Sequence, residues 1–134
     1  MKKSKVAVVG AGLYGINHIR AYQWNNDAEL VAVCELSEAL RAKIGAEYGV
    51  RTYADDADML NKEELDAVSV ATPDCYYATP ALAAIKAGKH VLIEKPLATT
   101  LTDPAPSLRR SGNIMCAWPA EFAYVLFQGS VYIP

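Results

Sequence analysis

Apolar residues along the chain fall into short continuous runs separated by stretches where they recur at helical spacing. Lys5 to Val9 is a β-branched run of the first kind, suited to a parallel strand covered on both faces. Tyr14 to Trp24 is of the second kind, with Ile16, Ile19 and Tyr22 or Gln23 in register, and predicts a helix. Asn25-Asn26-Asp27 reads as a turn, because Asn and Asp tolerate left-handed backbone and bond their own main chain. The alternation then repeats: a second strand over Glu29 to Cys34, a helix from Ser37 to Tyr48 capped by Gly49, and a short third strand over Val50 to Tyr53. Asp55 to Leu60 follows as one or two acid-capped helical turns, and Asp66 to Ala71 as a fourth strand. A helix through Ile85, with Pro80 in its first turn and Gly88 as its cap, leads to a fifth strand over His90 to Ile93. Strands and helices alternating at this spacing predict βαβ units with right-handed crossovers: an α/β fold with a doubly wound parallel sheet.

The first strand breaks into Gly10-Ala11-Gly12-Leu13-Tyr14-Gly15. In a dinucleotide cradle, Gly10 allows the tight turn, Gly12 lets a pyrophosphate approach bare backbone, and Gly15 lets the helix pack close to the sheet. Leu13 and Tyr14 complete that loop and belong with the cofactor-binding residues. The helix that follows presents unpaired N–H groups and a partial positive charge to the phosphates. Glu35 ends the second strand, twenty positions beyond Gly15. A carboxylate there accepts both ribose hydroxyls of an adenosine and repels a 2′-phosphate, favouring NAD over NADP. Its other reading is a helix-starting acid beside Ser37. Arg41 is the nearby cation that could rescue NADP binding, but mid-helix it is expected to be exposed. His18 reads as a packing or capping residue rather than a catalyst. The loop from Ala71-Thr72-Pro73 leaves the carboxyl end of its strand, where ligands bind in open α/β sheets. Glu94-Lys95-Pro96, taken on its residues alone, is a surface turn.

Composition narrows the picture further. With 134 residues, 52% of them hydrophobic, the chain suits one globular domain needing no disulfide or metal to hold its core. Thirteen Lys and Arg against fifteen Asp and Glu are mixed along the chain, unlike a nucleic-acid-binding stripe. No apolar stretch approaches the roughly 20 residues of a membrane span, so a soluble, cytoplasmic protein without nucleic-acid or membrane partners is expected. Cys34, Cys75 and Cys116 are far apart and lack a C-x-x-C pair, so they read as reduced, mostly buried thiols and no metal site is expected.

From about Lys5 to Leu101 the chain resembles the N-terminal half of the Gfo/Idh/MocA family of NAD(P)-dependent oxidoreductases. The resemblance rests on Gly10 to Gly15 with His18 after it, on Ala71-Thr72-Pro73, on Ala87-Gly88-Lys89-His90-Val91, and above all on Glu94-Lys95-Pro96. It implies an NAD(P)-binding Rossmann domain, with NAD as cofactor, and a larger second domain that supplies most of a pocket for a sugar, polyol or related hydroxy compound. It makes Lys95 the catalytic group, reaching the substrate hydroxyl near the nicotinamide, and adds Glu94, Lys95 itself and Pro96 to the cofactor-binding residues. A cis peptide often precedes the proline matching Pro96 in such proteins. Thr72 and Pro73 would line the dinucleotide groove. One departure is Tyr77, where the family commonly has histidine; tyrosine keeps a hydrogen bond but does not titrate near neutrality.

The resemblance weakens from about Asp103. Asp103-Pro104-Ala105-Pro106 and Gly112 suit no long helix, so 1–101 reads as the Rossmann domain and 102–134 as a divergent tail, with the substrate domain absent. Two readings of that tail stand: a natural gene end, or a frameshift. One permitted codon choice for Pro106 to Ser111, read from its third nucleotide, encodes Ile-Ile-Glu-Glu-Lys. Phe122 to Phe127 and Val131 to Ile133 are apolar and expected to pair on the sheet edge or to promote aggregation. On this reading the chain is the NAD-binding half of an oxidoreductase, inactive alone; the alternative is a non-catalytic NAD-binding module or a subunit completed by another chain. A homo-oligomer is left open.

Overall fold

A computed structural model of the chain describes residues 2–72, 78–94, 114–117, 125–127 and 130–132. Five strands and four helices alternate: β1 (Ser4–Val9), α1 (Leu13–Trp24), β2 (Ala28–Cys34), α2 (Glu38–Tyr48), β3 (Arg51–Tyr53), α3 (Asp56–Lys62), β4 (Ala67–Val70), α4 (Ala78–Lys86) and β5 (His90–Glu94). Three more strands follow, β6 (Ile114–Ala117), β7 (Val125–Phe127) and β8 (Ser130–Tyr132). The main sheet has the order β3-β2-β1-β4-β5-β6 and all its pairings are parallel. This is the doubly wound sheet the periodicity predicts.

Alternate residues of β1 separate the two layers, as the pleat requires. Ala7 and Val9 join Met59, Ala81 and Ala84, so α3 and α4 cover one face. Val6 and Val8 join Ile19 and Ile44, so α1 and α2 cover the other. The helical spacing is accurate on α1, where Ile19 is fully buried and Ile16 and Tyr22 pack beside it; Gln23 is exposed. Ser69 is a buried polar residue that the sequence does not flag; its hydroxyl pairs with the Tyr22 hydroxyl. Ser37 caps α2 by accepting from the Leu40 N–H, and Asp55 caps α3 by accepting from the Ala57 N–H. α3 runs one residue pair beyond the predicted turns, to Lys62.

Two differences lie in the C-terminal stretch. β6 pairs with β5, Val91 opposite Ile114 and Glu94 opposite Ala117, where the sequence pattern predicts no element. β7 and β8 pair with each other as an antiparallel ribbon, whereas pairing on the edge of the main sheet is one of the two outcomes expected from sequence.

The edge strand β3 is tied to the end of α3 by one carboxylate. Glu63, with only 5% of its side chain exposed, accepts from Arg51 Nη2 at 2.6 Å, from Arg51 Nε, and from the Tyr53 hydroxyl at 2.7 Å. The Arg51 bonds, and after them the Tyr53 hydroxyl, hold its carboxyl below the usual value against the opposing effect of burial. A lowered carboxyl contributes stability that is complete above the unfolded value, about 4.3, and is lost as pH falls through the folded value. Urea midpoints measured from pH 6 to pH 3 are therefore expected to fall more steeply for the wild type than for Glu63→Gln. The variant should already be the less stable of the two at pH 6. Parallel curves would show that the bonds carry no net linkage.

Candidate functional site

In a sheet of order 3-2-1-4-5-6 the chain reverses its winding direction between β1 and β4, and the crevice beyond their carboxyl ends is the place for a ligand. Two loops meet there. Gly10 N–H donates to the Cys34 carbonyl at 2.8 Å, and Ala71 N–H donates to the Val9 carbonyl at 2.8 Å. The approach is close enough to fix two residue types. Gly10 has φ +93°, and a Cβ on it would lie 2.8 Å from the Ala71 carbonyl oxygen. A Cβ on Gly15 would lie 1.9 Å from the Gly10 carbonyl oxygen. These glycines press α1 against the turn, the third and first roles assigned from the sequence.

Gly12 differs from both. It is the N-cap of α1, exposed, and a Cβ placed on it meets nothing within 4 Å. Among the described residues no side chain caps this helix, and its first turn holds no acidic residue. The N–H groups at the start of α1 thus have no side-chain acceptor among the described residues, and the dipole adds a partial positive charge. Leu13 and Tyr14 flank this bare backbone and are 78% and 63% exposed.

Glu35 stands opposite. Its N–H donates to the Tyr53 carbonyl, and its Oε2 lies 3.4 Å from the Ala11 nitrogen, so the half-buried carboxylate leans over the glycine loop from the end of β2. Thr72, on the β4 side, has a buried Oγ1 with no partner among the described residues. An unpaired hydroxyl, bare helix-end amides and a carboxylate around one space suit a ligand bearing a pyrophosphate and hydroxyls. The groups present therefore fit a dinucleotide.

One expectation changes. Arg41 is not an exposed mid-helix cation: it is half-buried, and its Nη1 donates to the carbonyls of Glu35 and Leu36, each at 2.8 Å. Cys34 is buried at the end of β2, as expected, and burial first, then the charges of Asp56, Asp55 and Glu35, push its thiol up to about 12. A thiol so placed stays neutral and is a poor nucleophile. His18 is half-buried on α1. Pro73, Cys75, Tyr77, Lys95 and Pro96 lie outside the described residues, and of Glu94 only the main chain, at the end of β5, is described. Among the described residues no helix is long and apolar enough to cross a membrane.

Known proteins share this sequence and architecture. D-apiose dehydrogenase of Paraburkholderia graminis is 39% identical over 105 residues, 77% of this chain and 28% of that protein. Inositol 2-dehydrogenase 3 of Saccharopolyspora erythraea is 39% identical over 100 residues, 74% of this chain and 30% of that protein. The chain thus spans less than a third of the length of these curated relatives. Among solved structures, scyllo-inositol dehydrogenase from Lactobacillus casei, with bound NAD(H) and scyllo-inositol, superposes with a TM-score of 0.77 at 26% identity, over 87% of this chain and 36% of that one. The model of the GFO_IDH_MocA oxidoreductase family, NAD-binding Rossmann fold, matches residues 4–106. The chain belongs to the Gfo/Idh/MocA oxidoreductase family through its NAD-binding Rossmann domain.

Proposed function

We propose that this chain binds NAD across the carboxyl ends of β1, β2 and β4, as the nucleotide-binding part of an oxidoreductase acting on a sugar, polyol or related hydroxy compound. The observation that carries the reading is the uncapped start of α1, where backbone at Gly12 faces open space and the Glu35 carboxylate lies across the same loop. Amides of the first turn of α1 bind the pyrophosphate, and Glu35 accepts from the ribose hydroxyls. The Thr72 hydroxyl, without a partner among the described residues, donates to the dinucleotide on the β4 side. When bound, the nicotinamide supplies the hydride acceptor.

In the sequence Lys95 directly follows Glu94, the last residue of β5. An ammonium there can stabilise developing negative charge on a substrate hydroxyl. Its role as the catalytic group rests on the family resemblance, as do the cofactor contacts of Pro73, Glu94 and Pro96. Apiose and inositol, named in the relatives, support this substrate class.

Calorimetric titration of the chain with NAD tests the cofactor reading. Saturable one-site binding, with NADP weaker, is the expected result. A folded chain that takes up no NAD would overturn it.

A further inference from the structure

We propose that Tyr22 and Ser69 are positioning residues for the dinucleotide: their hydroxyl pair fixes how α1 lies on β4, and so how far the start of α1 stands from the β4 loop across the crevice. The inference rests on the cofactor reading above, in which NAD meets the start of α1 on one side and Thr72 on the other. Ser69 is buried on β4, and its hydroxyl bonds that of Tyr22, which comes from the last turn of α1. The same stripe of the helix meets this stretch of chain a second time. Gly15 precedes Tyr22 by seven residues, about 10 Å along the axis, and a Cβ on it would lie 3.8 Å from the Ala71 Cβ. Ser69 and Ala71 thus both face α1, two residues apart.

The two contacts differ in kind. Gly15 is a steric fulcrum against the turn, and Ile16 and Ile19 pack with Val6 and Val8 through apolar contacts that have no preferred direction. Neither stops the helix from swinging about Gly15. The hydroxyl pair does, because a hydrogen bond is directional. Such a swing carries Gly12, three residues before the fulcrum, by about 0.4 Å for every ångström at Tyr22. Hydrogen bonds have a useful range of only a few tenths of an ångström, so a ligand held from both sides of the crevice registers the movement. ADP ends at the pyrophosphate and can follow the helix start. NAD continues to the β4 side and cannot.

Dissociation constants for NAD and for ADP, taken calorimetrically beside thermal melts on the wild type, Tyr22→Phe, Ser69→Ala and the double variant, decide the matter. Each single variant leaves one hydroxyl without its partner and is expected to melt lower. The double variant removes both hydroxyls and keeps the ring, so it should recover most of that loss. NAD is nonetheless expected to bind about fivefold more weakly to all three, while ADP changes by less than about twofold. Wild-type NAD affinity in the double variant would overturn the inference. So would equal weakening of NAD and ADP, or an NAD affinity that simply follows Tm across the four proteins, the mark of a pair that only holds the fold together. A wild type that binds NAD no tighter than ADP makes no use of the β4 side and overturns it as well. A wild type that binds neither fails the cofactor reading itself, and the inference falls with it.

Discussion

Gly15→Ala is expected to lower the stability of the chain by about 3 kcal/mol, or about 10 °C in Tm for a domain of this size, and to weaken NAD binding with it. Two effects oppose each other. Gly15 lies inside α1, where alanine is intrinsically better than glycine by about 1 kcal/mol. The added methyl, however, would stand 1.9 Å from the Gly10 carbonyl oxygen, which is backbone and cannot swing aside like the end of a flexible side chain. Relief requires moving α1 away from the loop, and Gly10 is itself pinned by its bond to the Cys34 carbonyl and by its approach to Ala71. The steric cost therefore outweighs the propensity gain. Thermal melts of wild type and variant give the sign directly. A variant as stable as the wild type, or more so, would show that the helix can slide without penalty and that close packing at Gly15 does not hold the cradle.

Much of this architecture is legible in the sequence because burial enforces periodicity. β1 reads as a continuous apolar run, since Val6 and Val8 face α1 and α2 while Ala7 and Val9 face α3 and α4. The sequence cues at helix ends are equally informative: Ser37 and Asp55 bond the amides that their positions imply. β6 is not legible, for a physical reason. Ile114 to Ala117 is a four-residue apolar stretch, too short to separate strand from helix by period, and it follows a segment broken by Pro104, Pro106 and Gly112. The pairing partner that makes it a strand is β5, distant in the chain. Arg41 departs from expectation for a different reason. Helical spacing indicates the side of a helix on which a residue sits, but Cα–Cβ bonds tilt toward the helix N-terminus. A long side chain in the first turn of α2 can therefore reach back over the preceding loop, as Arg41 does to Glu35 and Leu36. Ser69 carries no sequence signal at all, because its partner Tyr22 arrives from another element.

Gly12→Val separates the ligand from the fold. The variant is expected to lose at least 100-fold in NAD affinity while its Tm falls by only a few degrees. Gly12 has φ −76° and ψ −156°, extended backbone that a β-branched residue adopts readily, and its added Cβ meets no atom within 4 Å. The stability cost is confined to the N-cap preference for glycine over valine, under about 1 kcal/mol. The space that the isopropyl group would fill is the space assigned to the pyrophosphate, between the exposed start of α1 and the Glu35 carboxylate. Gly15, one turn further along the same helix, has no such space, so the two substitutions differ in the observable they move most: Tm in one and NAD affinity in the other. Calorimetric titration beside thermal melts reads both. Undiminished NAD binding by a folded Gly12→Val variant would place the pyrophosphate somewhere other than the glycine loop, and the assignment of Glu35 to the ribose, which depends on the dinucleotide running from that loop toward β2, would have to be abandoned with it.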